Sequence, residues 1–229
     1  MVPVMKKAVI LLSGGLDSTT LLFYVKHQLN AESIHALSFD YGQKHSRELE
    51  AARWQADKAG VHGHTIIDIS FFKGLVSNAS ALTDEHVPVP SLAELDSAQR
   101  NQPPTYVPNR NMVLLSLAAA HAEANDSTDV FYGAQLQDEY GYWDCTPEFL
   151  QNMNKVFSLN RRKAVVLHAP FMNMNKAGVL KQGLALGVDY SHTWSCYRGE
   201  SSPCGTCPTC VERAKAFSEI GVTDPLCAQ

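Results

Sequence analysis

No stretch of this chain stays apolar for long. Behind Lys6 and Lys7 the run Ala8 to Leu12 ends at Ser13, too short for the core of a secretion signal or for a membrane span of about 20 residues. The expectation is a cytoplasmic protein with no membrane partner. Positive charge is also scarce: the 229 residues carry a net charge of −4, without the phosphate-neutralising field by which a protein grips nucleic acid directly. Internal repeats and low-complexity tracts are missing. With 45% hydrophobic and 18% charged residues, extensive disorder is not expected either. Cysteine is sparse outside one place, since four of the six lie between Cys196 and Cys210. That crowding speaks for metal binding in a reducing compartment and against a spread-out disulfide framework.

What is present is an alternation of strand-like and helix-like segments. Apolar runs at Ala8 to Leu12, Ile34 to Phe39, Thr65 to Ile69, Asp129 to Gly133 and Ala164 to Leu167 are separated by helical periodicity. Leu21, Leu22, Val25 and Leu29 share one helical face; so do Leu49, Ala52, Ala56 and Ala59, with Gly60 closing that helix. Helices are also predicted over Asn111 to Asn125, Pro147 to Asn160 and Asn175 to Leu186. The pattern predicts an α/β protein with an open, mainly parallel sheet and helices on both faces, whose ligands sit beyond the carboxyl ends of the strands. The expected domains are residues 1–190, binding nucleotide and substrate, and residues 191–229, a small helical segment stapled by cysteines. Lys73 to Asn109, with five prolines and no periodicity, reads as a long loop of the kind that serves as a lid or a mobile insertion.

Directly after the first strand stands S-G-G-L-D-S, Ser13 to Ser18. Gly14 and Gly15 can take positive φ and let backbone N–H groups close on an anion, while the following helix aims its N-terminus at the same point. Ser13, Asp17 and Ser18 sit where helix N-caps belong. No Gly-Lys-Ser/Thr follows, so this is not the loop whose lysine reaches the outer phosphates. A loop that grips pyrophosphate suits cleavage between the α- and β-phosphates, which leaves an adenylated substrate. The hexapeptide resembles the signature of the PP-loop ATP pyrophosphatases. A glycine turn without ligand is the bland alternative.

Cys196, Cys204, Cys207 and Cys210 have seven, two and two residues between them. Thiolates two residues apart chelate one ion through a tight turn, which Gly205 eases, and a fourth thiolate completes a closed tetrahedral zinc shell. Closely spaced cysteines also hold iron–sulfur clusters. His192 is near enough in sequence to compete as a ligand; His168 and Cys145 are read as packed side chains, although Cys145 follows Asp144 on a loop of the ligand rim. Arg110, between Asn109 and Asn111 at a loop-to-helix boundary, offers a fork for a carboxylate or phosphate beside another helix N-terminus. The segment from Gly133 to Glu148 packs Asp138, Glu139 and Asp144 among Tyr140, Tyr142 and Trp143, faces and acceptors that suit a planar, guanine-like ring.

Together with F-D-Y-G-Q-K-H at 39–45, Y-V-P-N-R-N at 106–111, G-Y-W-D-C at 141–145, T-W-S-C-Y at 193–197 and C-G-T-C-P-T-C at 204–210, these features resemble the 7-cyano-7-deazaguanine synthase family, the queuosine-pathway branch of the PP-loop superfamily. The resemblance spans nearly the whole chain. It implies ATP-dependent conversion of 7-carboxy-7-deazaguanine and ammonia to the nitrile, by way of an adenylated carboxylate and an amide, in a homodimer holding zinc. It implies nucleotide contacts, with magnesium, from Leu12, Ser13, Gly14, Gly15, Leu16, Asp17, Ser18, Thr19 and Phe39. Substrate contacts would come from Arg110, Asn111, Asp138, Tyr142 and Asp144, with Ser13, Asp17, Ser18 and Arg110 carrying the chemistry. Where the family loop runs close to D-Y-S-G-Y-P-D-C-R, this chain has D-E-Y-G-Y-W-D-C-T, with Glu139, Tyr140, Trp143 and Thr146 in the changed places. A synthase stopping at the amide, an RNA-modifying PP-loop enzyme and a silent nucleotide-binding module are the competing readings.

Overall fold

The apolar runs pair into one sheet whose five strands are all parallel: β1 (Lys7–Leu11), β2 (Ser33–Asp40), β3 (Gly63–Asp68), β4 (Asp129–Phe131) and β5 (Val166–His168), in the order β3-β2-β1-β4-β5. The structure is a computed structural model, and it describes residues 5–44, 46–135 and 142–227. Eight helices are described: α1 (Leu16–His27), α2 (Arg47–Ala59), α3 (Phe72–Leu75), α4 (Ser97–Asn101), α5 (Arg110–Ala124), α6 (Pro147–Phe157), α7 (Lys176–Ala185) and α8 (Pro208–Glu219).

A strand covered on both sides has to be apolar at successive positions, because neighbouring side chains point to opposite faces. In β1, Val9 and Leu11 pack toward Leu115 and Ala118 of α5 and Met153 of α6. Ala8, Ile10 and the following Leu12 pack toward Leu21 and Leu22 of α1, Ala52 and Ala56 of α2, Leu180 of α7 and Phe217 of α8. The alternation in β1 thus assigns each helix to a layer. Local chemistry ends the helices where expected: Gly60 stops α2 in the left-handed region at φ 60, Thr146 caps α6 through the Phe149 N–H at 3.2 Å, and Asn175 caps α7 through the Gly178 N–H at 2.8 Å.

Strand order reverses between β1 and β4, so the loops leaving their carboxyl ends diverge and leave a crevice. The segment expected as a long loop covers this end, but it is packed and partly helical. It carries α3, α4 and a 3-10 turn at Leu92–Glu94, and it buries Ala81, Leu82, Val89, Leu95 and Val107. Single backbone bonds pin it, from Lys44 N–H to the Leu82 carbonyl at 3.1 Å and from Leu92 N–H to the Thr206 carbonyl at 2.9 Å. Isolated anchors of this sort have no period and leave no pattern in a sequence. No helix among the described residues is long and apolar enough to cross a membrane.

Helices α1 and α7 pack closely around Tyr190. The Thr20 and Tyr190 hydroxyls bond at 2.6 Å beside Gly183, where an added Cβ would lie 1.8 Å from the Tyr190 oxygen. Overpacking outweighs the helix propensity gained from alanine. Gly183→Ala is expected to destabilise the protein by about 1–3 kcal/mol, read as a lowered urea midpoint with an unchanged slope.

Candidate active site

A cavity of about 300 Å³ occupies the crevice at the carboxyl ends of β1, β2 and β4. Its walls come from the loop after β1 (Leu12, Ser13, Gly15, Asp17, Ser18), the end of β2 and its loop (Phe39, Tyr41, Gln43, Lys44), the first turn of α2 (Glu48), the start of α5 (Arg110, Asn111, Leu114) and the residues after β4 (Tyr132, Gly133, Ala134). Cys145 and Tyr197 also line it, with leucines including Leu82 between the polar groups.

The glycine loop differs in detail from the sequence expectation. Gly14 alone takes a positive φ, 84°; Gly15 is extended at φ −77 and is itself the N-cap of α1, with no side chain capping it. Ser13, Asp17 and Ser18 are therefore not N-caps. The two serine hydroxyls tie the loop to itself instead, Ser13 Oγ lying 2.9 Å from Ser18 Oγ and the Ser13 N–H donating to Ser18 Oγ at 3.2 Å. A glycine N-cap leaves the first-turn amides free of side-chain partners, and those amides with the helix dipole make an anion site. Gly14 lies behind the cavity wall. A Cβ there would lie 2.1 Å from the Glu48 carbonyl oxygen and 2.6 Å from the Ala52 nitrogen, so the loop backbone sits directly on α2. Leu16 and Thr19 are buried in the core side of α1 and do not line the cavity.

Asp17 is held at one oxygen, accepting from Gln135 Nε2 at 3.1 Å and pairing with Lys176 Nζ at 3.4 Å; its Oδ1 is buried without a hydrogen-bond partner. Lys176 also reaches Glu212 at 3.2 Å. Neither Lys176 nor Glu48 was singled out from the sequence. The signal for Lys176 was a cation in the first turn of a helix, where the dipole disfavours it. Glu48 carried no comparable signal, because an acid in a first turn is ordinary.

Arg110 opens α5 behind Asn109, which holds the left-handed φ of 56°, and its guanidinium carbon lies 5.7 Å from the Tyr41 ring centroid. Burial pushes the Tyr41 hydroxyl up to about 12. Asp144 is buried and its carboxyl is raised by desolvation, opposed by Arg110 and by the backbone of Asn111. Asn111 Nδ2 stands 3.7 Å from Cys145 Sγ on the cavity wall. Tyr142 lines a smaller cavity of about 140 Å³ next door, shared with Asp17, Lys176 and Tyr197, and its hydroxyl bonds Thr105 Oγ1 at 2.7 Å. Phe39 is buried in the main wall. Two of the changed loop positions are engaged by the protein itself: Trp143 Nε1 donates to the Tyr106 hydroxyl at 2.8 Å, and Thr146 caps α6. Asp138, Glu139 and Tyr140 lie outside the described residues.

The sulfurs of Cys196, Cys204, Cys207 and Cys210 all lie within 4.8 Å of one another. A tetrahedral ion with metal–sulfur bonds of about 2.3 Å needs sulfurs about 3.8 Å apart, so the set fits one metal closed by protein ligands. The Cys204 N–H points to Cys196 Sγ at 3.4 Å and the Cys207 N–H to Cys204 Sγ at 3.3 Å, donors that favour thiolates. Gly205 turns the chain between them at φ 71. His192 is not part of this group; its ring stacks on Trp54 at 3.8 Å, while His168 pairs with Asp129 at 2.8 Å. Cys207→Ser, or prolonged chelation, is expected to abolish stoichiometric metal in elemental analysis and to lower the thermal midpoint of the whole chain, because the cluster packs on Trp194, Ala81 and Val89.

Comparison with known proteins agrees with this geometry. The family model described as "Queuosine biosynthesis protein QueC" matches residues 7–221. A curated 7-cyano-7-deazaguanine synthase from Psychromonas ingrahamii is 44% identical over 221 residues, 96% of this chain and 97% of that one. Another of the same name from Caldicellulosiruptor saccharolyticus is 47% identical over 220 residues, 96% of this chain and 94% of that one. Among solved structures, the U34-tRNA thiolase NcsA from Methanococcus maripaludis with its 4Fe-4S cluster matches with a TM-score of 0.52 at 16% identity, covering 95% of this chain and 66% of that one, a likeness of fold. Full-length matches at this identity leave one assignment: the chain belongs to the queuosine biosynthesis protein QueC family.

Proposed function

We propose that the chain is an ATP-dependent synthase converting 7-carboxy-7-deazaguanine and ammonia to 7-cyano-7-deazaguanine. The observation that carries this reading is one cavity with uncapped helix-terminal amides on one wall and Arg110 on the other. The names of the curated relatives supply the substrate class.

In this reading residues 1–190 form the reacting body and 191–229 the stapled segment. Leu12, Ser13, Gly15, Asp17, Ser18 and Phe39 hold the nucleotide, backed by Gly14, with Arg110, Asn111, Tyr142 and Asp144 around the acid. A substrate carboxylate oxygen attacks the α-phosphorus of ATP, the bond to the β-phosphate breaks, and pyrophosphate departs into the loop of Ser13 to Ser18. Stabilising that leaving group is the loop's work. Asp17, through its unpartnered Oδ1, would hold magnesium, which when bound neutralises phosphate charge. Ammonia then forms the C–N bond as AMP leaves, giving the amide. The amide oxygen takes a second adenylyl group, and its departure with the remaining N–H protons yields the nitrile. Both carboxylate oxygens thus leave on AMP, and no side-chain nucleophile takes part. Zinc in the four-cysteine site would staple the C-terminal segment and stay outside the reaction; a brown absorbing protein would instead indicate an iron–sulfur cluster. The reading extends to a homodimer in the cytoplasm, supported by the family resemblance and by thiols grouped for a metal.

Incubation with the acid, ATP and ammonium is expected to give the nitrile mass and, by chromatography, AMP with pyrophosphate. ADP as sole nucleotide product would refute adenylation, and accumulating amide without nitrile would show that the changed loop halts the sequence. Arg110→Ala is expected to lower kcat/KM for the acid by about 100-fold, the size of losing one charge-stabilising group.

A further inference from the structure

A nitrile nitrogen carries no hydrogen, so all three protons of ammonia have to leave inside the cavity if the reaction above is correct. Phosphate-gripping amides and an arginine accept none of them. A proton acceptor is required that faces the same space.

The acidic and basic groups on the cavity wall can be sorted by what already holds them. Asp17 is engaged by Gln135 and Lys176. Lys44 is engaged as a donor to the Val87 carbonyl at 2.6 Å. Tyr41 and Tyr132 are both pushed upward by burial, Tyr41 to about 12, so as neutral hydroxyls they are poor acceptors. Glu48 remains. It lies in the first turn of α2, whose backbone is seated on Gly14, so the nucleotide loop itself fixes its position. No lysine or arginine nitrogen comes within 4.0 Å of its carboxylate among the described residues.

We propose that Glu48 is the general base that removes protons from the nitrogen in both halves of the reaction. It takes one N–H proton of the attacking ammonia as C–N forms and C–O to AMP breaks, and then, one after the other, the two N–H protons lost as the adenylated amide collapses to C≡N; after each transfer it returns the proton to solvent. The groups that face it set its strength. Burial pushes its carboxyl up to about 7, opposed by Arg110 on α5 and by Gln43 on the loop after β2. Glu48 in turn adds to the rise of Tyr41, to which Asp40 at the end of β2 also contributes. Lys44 and Tyr197 face the same cavity. A free-enzyme base near this value is protonated and idle below it and ionised above it, so kcat/KM should fall as pH falls through about 7.

The test follows kcat/KM for nitrile formation against pH, with free ammonia held constant at each point, in parallel with acid-dependent exchange of labelled pyrophosphate into ATP. That exchange reports adenylation alone and removes no N–H proton. Glu48→Gln is expected to lose about 100-fold or more in nitrile formation, to lose the acid limb near 7, and to retain acid-dependent exchange, while Glu48→Asp keeps the limb at reduced rate. Because a buried acid with a raised pKa costs stability once ionised, Glu48→Gln should unfold no more easily than the parent at pH 8. An unchanged limb in Glu48→Gln, or exchange lost along with nitrile formation, overturns the proposal while leaving the synthase reading intact. Absence of acid-dependent exchange in the parent protein overturns both.

Discussion

One backbone contact governs the site: Gly14 seated on the first turn of α2. A side chain at Gly14 would run into the Glu48 carbonyl, and the residue already holds a conformation of φ 84° that L side chains rarely adopt. Its own carbonyl accepts the Trp194 N–H at 3.0 Å. A single glycine therefore joins the nucleotide loop, the helix that carries Glu48 and the chain segment that leads into the four cysteines. Shifting any one of the three moves the other two, since packed elements have little room to yield.

The charge arrangement follows from that junction. Loop amides, Lys44 and Arg110 face one cavity at the switch point between β1 and β4, with Asp17 and Glu48 on the same wall and Lys176 in the cavity beside it. Amides and cations placed there suit phosphate and carboxylate although the chain as a whole carries a net charge of −4. Asp17 stands among these cations with one oxygen free, and Glu48 stands apart from them by more than ion-pair distance. Two carboxylates in one cavity are given different work by their surroundings, one paired with Lys176, the other raised by burial to about 7.

The C-terminal segment stabilises the site from outside it. Arg213 of α8 is buried against Asp224 at 2.7 Å and bonds the Thr193 hydroxyl at 2.7 Å and the Tyr190 carbonyl at 3.0 Å. Those bonds hold the stretch from Tyr190 to Trp194 in the shape that reaches Gly14. A buried ion pair this fully hydrogen-bonded fixes geometry more than it adds net stability. The four thiols fix the other end of the same stretch, and the segment above them, expected as a loose loop, covers the cluster with Ala81 and Val89.

The sheet, its helices and the cysteine set were legible in the sequence because each rests on local periodicity or spacing: apolar runs for β1 to β5, one face for α2 with Gly60 at its end, and short intervals between thiols. The glycine loop was legible in kind and misread in detail, since whether Gly15 or a serine caps α1 depends on where Ser13 and Ser18 turn their hydroxyls. Lys176 lay far from any motif in sequence, Glu48 fell just beyond the one at 39–45, and Tyr132 looked like the end of a strand. Sequence by itself determined which elements form and which chemistry they carry. Tertiary structure alone decided which charges share a cavity and which are already paired, because those depend on distances between residues far apart along the chain, and on burial that only packing creates.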